Sequence, residues 1–472
     1  MGTECNRKQL VFGGFGRRQV VAAFDAGRVS SDGGLLLLRE VAGATGLLRR
    51  FGACFRDLRD PGRIEHRVEE LVGQRVLAIA CGYEDLNDHD RLRDDALLAV
   101  AVGKADPSGG SRPRVRDRGH ALAGRNTLNR LERTPAEATS ADRYHKIVYD
   151  TGLIERLWVE AFLEAHEVPP SRIILDLDAT DDPLHGAQEG RFFHGYYRSY
   201  CYLPLYIFCG DFLLCAKLRS SNIDAAAGAL DEVKRIVAQI RTDWPGVEIW
   251  LRADSGFARE ETMAWCEENQ VEYVFGLAKN ARLKALLGED LEEVRAEQEC
   301  RGGAIRRYRE LSYRTLESWS RERRVVGKAE QLPGKANPRF VVTSLPVDRF
   351  DGSTLYEQLY CARGDMENRI KEQQLGLFAD RTSTATMRGN QLRLWLSSMA
   401  YVLMNELRRR GLRGTELERA QVGTIRTRLL KIGAVIKISV RRVYVALSSV
   451  YPLQALFARV LANLQRDGPL PA

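Results

Sequence analysis

The feature that most constrains the fold is a series of apolar strands alternating with helices, in which two strands end in an aspartate. A strand over 173–178 ends at Asp178, and a strand over 247–253 is followed directly by Asp254. Between and after them the patterns predict a hairpin over 200–208 and 212–218, helices over 222–244 and 260–269, and a strand over 271–277. This order predicts an α/β fold, with a mixed sheet covered by flanking helices.

Aspartates at the ends of such strands lie at one edge of a sheet, where ligands collect in α/β folds. Two such acids and a third from a helix can hold two Mg²⁺ ions about 3.5–4 Å apart. Carboxylate oxygens suit Mg²⁺, and Mn²⁺ in its place. For Asp178 or Asp254 alone, a structural role is the commoner interpretation. Asp176 lies on the same face of its strand as Asp178 and is a rival for the first position.

A third acid lies in a helical stripe at the start of a long predicted helix over 355–378. Arg363, Glu367 and Lys371 follow one another at four-residue intervals, and Tyr360 precedes Glu367 by seven residues. All four side chains therefore share one helix face. The stripe is either a solvated ladder of ion pairs, or a carboxylate flanked by donors that bind phosphate.

The charge is unevenly distributed along the 472 residues, whose 71 Lys and Arg against 63 Asp and Glu give a net charge of +8. Residues 408–442 alone carry eleven basic and two acidic residues, and 112–133 carries seven arginines and two acids. The first ~165 residues are predicted to be mostly helical. The segment 279–338 breaks the α/β order with an acidic helix and basic strands, and a tail with two strands and a helix ends the chain. Such concentrated positive charge is typical of nucleic-acid binding.

Several other chemistries are not supported. All seven histidines precede residue 195, no Walker A sequence occurs, and the nine cysteines form no CxxC pair. A metal site at His185 and His194 is less favoured than ordinary histidine roles, because no ligand spacing accompanies them. No signal peptide or membrane-spanning stretch is apparent. These features predict free thiols and a cytoplasmic location, with no membrane partner.

The motifs DATDDP at 178–183 and ADSGF at 253–257, with Tyr-x-x-Arg-x-x-x-Glu at 360–367, resemble DDE-type insertion-sequence transposases. The wider run from SSDGG through YEDLNDHDRLRDD to LDLDATDDPLHGAQEGRFFHGYY is similar to the insertion-sequence thirteen-eighty family. The resemblance covers most of the chain and keeps the order of the motifs. It implies a ribonuclease-H-like catalytic domain interrupted by a β-rich insertion.

The resemblance implies that Asp178, Asp254 and Glu367 are catalytic and hold two Mg²⁺ ions. It also implies that Tyr360 and Arg363 contact DNA phosphates. With the charge pattern it divides the chain into an N-terminal DNA-binding module, a catalytic domain in two parts, the insertion, and a basic C-terminal region. Their predicted bounds are 1–168 for the module, 169–278 and 339–411 for the catalytic domain, 279–338 for the insertion and 412–472 for the C-terminal region.

Further DNA contacts are expected outside this triad. Many relatives carry a lysine seven residues after the glutamate, where this chain has Gln374; Lys371, one turn earlier, is the substitute. Trp319 resembles a residue that holds a flipped base at a DNA hairpin, and a tryptophan packed in the insertion's core is an equal alternative. Arg441 and Arg442, in the basic tail, are expected to bind DNA.

The function expected is therefore transposition of double-stranded DNA, by excision and reinsertion of an element with terminal inverted repeats. Two chains are expected to assemble on the paired ends, because each end needs an active site. Two alternatives remain: a ribonuclease-H-like nuclease without strand transfer, and a non-catalytic DNA-binding protein descended from a transposase.

Overall fold

The computed structural model describes residues 9–466. Within them the chain forms two compact units. The first contains the described residues up to Tyr149 and from Met399 onward, and the second is Asp150–Ser398. No helix within residues 9–466 is both long and apolar enough to cross a membrane.

The second unit is built on a nine-stranded mixed sheet. Its strands follow in the order Phe212–Lys217, Leu205–Cys209, Arg172–Ala179, Glu248–Ala253, Val271–Leu277, Arg339–Thr343, Arg323–Leu332 and Ile305–Tyr313, and Lys335–Ala336 pairs with Arg323–Leu332. The strand Glu248–Ala253 runs parallel to both of its neighbours, and the other pairs are antiparallel. A small separate sheet contains Asp182–Pro183, Ser199–Tyr202 and Phe192–His194.

Helices pack on both faces of the large sheet. Alternate residues of the first parallel strand, such as Ile173, Leu175 and Leu177, join a buried cluster with Val233 and Ile236. A second buried cluster lies on side chains that include Trp250 and Val274. The helical segments of this unit are Thr151–Glu164, Ala229–Asp243, Glu260–Glu268, Ala281–Leu286, Gly288–Arg301, Gly352–Thr354, Leu355–Tyr360 (π), Cys361–Arg363 (3₁₀), Gly364–Lys371, Glu372–Gly376 (π) and the part of Met387–Glu406 up to Ser398. The predicted mixed α/β architecture is confirmed.

Several predicted elements have different bounds. The helix predicted over 355–378 is a run of π, 3₁₀ and α segments that ends at Gly376, and two other differences have a clear cause. The strand predicted over 200–208 is divided, because Pro204 lacks an amide hydrogen and cannot continue the ladder; Ser199–Tyr202 joins the small sheet and Leu205–Cys209 the large one. The helix predicted over 222–244 starts at Ala229, preceded by Gly228 with a φ of 69°. Such a left-handed conformation suits glycine and starts the helix later than the apolar pattern indicates.

The strands of the segment 279–338 do not form a sheet of their own. Arg323–Leu332 pairs with Arg339–Thr343, and Ile305–Tyr313 pairs with Arg323–Leu332, so both extend the nine-stranded sheet. The segment contains the helices Ala281–Leu286 and Gly288–Arg301 as well as these strands, and its strands are continuous with the sheet that carries the two strand-end aspartates. The bounds given above for the five parts of the chain stay predictions.

The first unit is mostly helical and contains both ends of the described chain. Arg28–Ser30 pairs with Ala434–Ile438, which pairs with Val443–Leu447. Arg426 donates hydrogen bonds to the carbonyls of Ile79 and Ala80. The helical segments are Leu35–Thr45, Leu47–Ala53, Pro61–Arg63 (3₁₀), Val68–Ala80, Leu86–Asp88 (3₁₀), His89–Leu92, Ala96–Ala101, Val115–Asp117 (3₁₀), Arg125–Glu132, Leu407–Gly411 (π), Val422–Ile425, Arg426–Leu430 (π) and Gln454–Arg466; the other strand pairs are Leu10–Phe15 with Arg18–Ala22 and Phe55–Asp57 with Ile147–Tyr149.

Candidate active site

Three acidic residues from separate elements line one pocket of about 520 Å³ in the second unit: Asp178, Asp254 and Glu367. In the parallel pair, Ala253 lies opposite Leu177, so the residues that follow them, Asp254 and Asp178, lie side by side at the carboxyl ends of the strands. The pattern of apolar strands ending in acids therefore predicted their proximity.

Glu367 is brought to this edge by a helical run that packs on the sheet. Leu355 and Leu359 bury their side chains against Trp250 and Val274. The Arg252 guanidinium, which extends from the Asp254 strand, donates to the carbonyl oxygen of Leu359 at 2.6 Å. The next helix, Gly364–Lys371, then places Glu367 in the pocket.

Arg363 links two of the three acids. Its Nη2 donates to Oε1 of Glu367 at 2.7 Å, and its Nη1 lies 3.6 Å from Oδ2 of Asp178. The side chain is 18% exposed, so this guanidinium is held at the pocket wall rather than extended into solvent. Arg363 therefore fits both interpretations of the helical stripe. It forms an ion pair with Glu367, as in a ladder of ion pairs, and it faces the pocket, as a phosphate-binding donor would.

The pocket concentrates negative charge. Burial raises the pKa of Asp178 to about 7; Arg363 opposes this increase, and the neighbouring Asp254 and Glu367 add to it. Arg363 and Lys371 thus line the pocket with three acids, whose charge and oxygen donors fit hard divalent cations. Within residues 9–466, however, no group of three or more His, Cys, Asp or Glu side chains is close enough to form a ready metal site.

Asp176, the rival first acid, is engaged elsewhere. Its two carboxylate oxygens accept hydrogen bonds from Arg252 Nε at 2.5 Å and Nη2 at 2.8 Å. Both residues are buried, with exposed fractions of 4% and 8%. Asp176 therefore closes an internal ion pair, whereas Asp178 lines the pocket.

Comparison with known proteins identifies the family. The sequence model of the family described as "Transposase DDE domain group 1" matches residues 12–469, which is nearly the whole chain. The chain belongs to the DDE transposases. A cryo-EM structure of a piggyBac transposase synaptic complex with hairpin DNA is similar at 12% identity, with a TM-score of 0.42, over 85% of this chain and 80% of that chain. No curated protein matches significantly.

The remaining predicted site residues of this transposase fall into different environments. Lys371 lines the same pocket, one turn after Glu367. Tyr360 does not line this pocket, and its hydroxyl is so near Gly276 that a Cβ on Gly276 would lie 2.5 Å from the oxygen. Arg441 and Arg442 are exposed in the turn after the strand Ala434–Ile438, in the first unit. The structure thus brings together the three acids, Arg363 and Lys371.

Trp319 is packed in the core of the second unit. Only 6% of it is exposed, and its ring meets that of Tyr313 edge to face at 5.7 Å. The Arg323 guanidinium carbon lies 5.5 Å from the Trp319 ring centroid. The residue therefore matches the packed alternative, and in this conformation it presents no open ring face for a flipped base.

The aromatic rim of the pocket was missed by sequence reasoning. His194, Tyr196 and Tyr197 all line it, and 84% of Tyr196 is exposed. They belong to the hairpin that joins Phe192–His194 to Ser199–Tyr202. The run FFHGYY was the available signal, but aromatic residues in a short strand are more often part of a core. His185 does not line this pocket.

Gln374, at the position where many relatives carry lysine, makes a structural connection. Its Nε2 donates to Oδ1 of Asp182 at 2.8 Å and to the carbonyl of Asp181 at 3.1 Å. It thereby ties the loop after Asp178 to the helical run that carries Glu367. Asp182 is fully buried, and burial raises its pKa to about 8; Gln374 opposes this and the acids Asp380 and Asp181 add to it.

This raised pKa predicts a pH-dependent stability. Asp182 has a usual pKa of 3.8 when unfolded, and about 8 when folded. The neutral form therefore stabilises the fold below pH 3.8, and this contribution is lost as the pH rises towards 8. Asp182→Asn keeps the acceptor for Gln374 and removes the titration. We expect it to exceed the wild type in free energy of unfolding near pH 8, with the difference shrinking towards pH 5, in urea denaturation. Asp348→Asn, at an exposed position, is the control; parallel stability curves for Asp182→Asn and wild type would contradict the assignment.

Proposed function

We propose that this transposase excises and reinserts its own DNA element by hydrolysis and strand transfer at phosphodiester bonds. We infer that Asp178, Asp254 and Glu367 are the catalytic acids, in a ribonuclease-H-like domain of the insertion-sequence thirteen-eighty family. The observation that carries the proposal is the convergence of these acids, from two strand ends and a helix, on one pocket beside Arg363.

The three acids are the residues that would hold two Mg²⁺ ions, or Mn²⁺ in their place. When bound, the metal supplies Lewis-acid polarisation of the phosphate and favours ionisation of the attacking hydroxyl. The acids lie at a sheet edge with an open pocket in front of them, which leaves room for a phosphate. Burial raises the pKa of Asp178, and Asp254 and Glu367 add to the increase; a divalent cation held by these acids would oppose it.

Arg363 is a positively charged side chain at the wall of this pocket. In the absence of DNA its guanidinium is paired with Glu367 and lies near Asp178. A guanidinium binds phosphate oxygens through two parallel hydrogen bonds, so a phosphate in the pocket would offer Arg363 a partner equivalent to the Glu367 carboxylate. Lys371, one turn away, and Tyr360 are assigned to phosphates next to the bond that is cut.

The other contacts with DNA are assigned by charge. The N-terminal module reads the terminal inverted repeats, and exposed Arg441 and Arg442 contact the backbone. Two chains pair the ends as a homodimer, since each end needs a set of three acids. A DNA hairpin intermediate belongs to this proposal, but the burial of Trp319 means that its flipped base would need another partner.

The test is cleavage of a labelled duplex that carries the inverted repeat found beside the coding region. With Mg²⁺ or Mn²⁺, purified protein should nick this duplex at the repeat end, and it should leave a shuffled duplex intact. No cleavage in either metal would favour the non-catalytic DNA-binding alternative. Cleavage at random positions would favour the nuclease alternative.

A further inference from the structure

A cleft of about 440 Å³ in the first unit is lined by arginines. It lies among Pro61–Arg63, the turn around Val115–Asp117 and the helix Arg125–Glu132. Three acids, two histidines and a single apolar side chain, Leu122, also line it. The arginines are Arg59, Arg63, Arg93, Arg112, Arg114, Arg116 and Arg130. Seven guanidiniums against three carboxylates leave a strong local surplus of positive charge.

Some of these arginines hold the cleft together. Arg59 pairs with Asp57 through two hydrogen bonds, at 2.8 and 2.7 Å, and Arg112 pairs with Glu65. These ion pairs hold the side chains that form the walls of the cleft in place. The local field also acts on His66, whose pKa is lowered to about 3 by burial and by Lys104, Arg112 and Arg59. The wall histidine is therefore neutral and does not compensate the arginines.

Two arginines of the cleft do not take part in such ion pairs. Within residues 9–466, neither Arg93 nor Arg130 makes an ion pair with a carboxylate. The Nε of Arg93 is buried and has no hydrogen-bond partner. An unsatisfied buried donor costs about 1–3 kcal/mol, and the Arg93 guanidinium, which lines the cleft, finds no acceptor in the described part of the chain that would offset this cost.

The positive surface continues past Arg130. An adjoining pocket of about 110 Å³ shares Arg59 and Arg130 with the cleft and adds Arg143, Lys146 and Tyr144. The guanidinium carbon of Arg130 lies 4.3 Å from the centroid of the Tyr144 ring, and that of Arg143 lies 5.2 Å from it. Stacking on the exposed Tyr144 holds Arg130 in place without neutralising it.

We propose that this arginine cleft binds the phosphodiester backbone of duplex DNA, with Arg93 and Arg130 as phosphate contacts. Its lining favours a backbone over a free nucleotide, because a base needs an apolar or aromatic slot and Leu122 alone offers apolar surface in the cleft. The positively charged side chains continue from the cleft into the adjoining pocket, so they can contact successive phosphates of one backbone. The proposal rests on the proposed function, since it names the surface by which the N-terminal module holds DNA.

The test compares two double variants of the full-length protein. Arg93→Gln with Arg130→Gln removes the two unpaired cleft charges, while Arg91→Gln with Arg133→Gln removes two exposed arginines close by in sequence that do not line the cleft. Binding of a fluorescent duplex of arbitrary sequence is measured by anisotropy, with a chelator present so that no cleavage occurs. Competition by inorganic phosphate is measured in parallel.

We expect the cleft variant to lose at least about tenfold in affinity near 150 mM salt, because each charged hydrogen bond contributes about that factor. The slope of log affinity against log salt should fall by about 2, and the Arg91 and Arg133 variant should change less. Equal affinities and slopes for both variants would overturn the proposal. Displacement of the duplex by low concentrations of inorganic phosphate would also overturn it, as the mark of a small-anion site.

Two controls separate this outcome from the others. Thermal unfolding shows whether the cleft variant is folded, and Arg130→Gln alone, at an exposed position, serves if it is not. Because binding is measured without metal, its loss is independent of whether Asp178, Asp254 and Glu367 cut DNA. A transposase that cleaves normally but binds equally well without Arg93 and Arg130 would refute the cleft and leave the proposed function standing.

Discussion

Replacing Asp254 by asparagine is expected to slow cleavage of the DNA end by at least about 10²-fold while DNA binding is retained. The substitution keeps the size of the side chain and the acceptor that receives the Gly256 amide hydrogen bond at 2.8 Å. It removes one of the three charges that converge on the pocket. Asp178→Asn and Glu367→Gln should behave alike, measured as initial rates of nicking on a labelled repeat-end duplex.

The matched control is Asp365→Asn. Asp365 lies on the same helix as Glu367 but is exposed and does not line the pocket. Its variant removes an equal charge and should cleave at close to the wild-type rate. If the three pocket variants cleaved as fast as Asp365→Asn, the pocket would not be the active site. Anisotropy with the same duplex shows that each variant still binds.

Replacing Arg252 by methionine is expected to lower the free energy of unfolding by about 3–5 kcal/mol, because it leaves the Asp176 carboxylate buried without its partner. Arg252 also satisfies the Leu359 carbonyl, so one side chain joins two parallel strands to the helical run that precedes Glu367. Urea denaturation gives the measurement.

Two further variants show whether burial is the cause. Arg295→Met breaks an ion pair with Glu299 whose side chains are 61% and 63% exposed, and it should cost at most about 1 kcal/mol. Adding Asp176→Leu to Arg252→Met removes the unpaired charge and should recover much of the loss. A loss for Arg252→Met no larger than that for Arg295→Met would contradict this account.

The part of the fold that could be predicted from the sequence is the part that depends on local periodicity. Apolar runs located the strand that carries Asp178 and the strand that precedes Asp254, and four-residue spacing placed Arg363 and Glu367 on one face. Because parallel strands end at the same edge, these signals were sufficient to predict that the two aspartates lie together.

Pairing between distant segments could not be predicted in this way. Ser30 pairs with Ala434, and the strands around Arg307 and Val325 join the central sheet through Val341. A strand pattern shows that a segment is extended, but it does not name the strand beside it. The environment of Trp319 could not be predicted for the same reason. A tryptophan in this basic segment suits either a DNA-binding surface or a packed core, and only the tertiary packing decides between them.

The side-chain contacts within the site could not be predicted from the sequence for a related reason. Asp176 and Asp178 look alike in sequence, and the difference is that Arg252, 76 residues later, pairs with the first. The cleft arginines Arg93 and Arg130 are likewise distinguished from Arg91 and Arg133 only by which side chains face the cleft. Charge counts indicate a DNA-binding region but do not select the residues within it.

Incubation with a pre-cut repeat end and a supercoiled target plasmid shows whether this DDE transposase joins DNA as well as cutting it. With Mg²⁺, we expect a covalently joined product that depends on the 3′-hydroxyl and disappears with a 3′-deoxy end or with Asp254→Asn. Cleavage of repeat ends by the same preparation, with no joined product from the 3′-hydroxyl end, would contradict it.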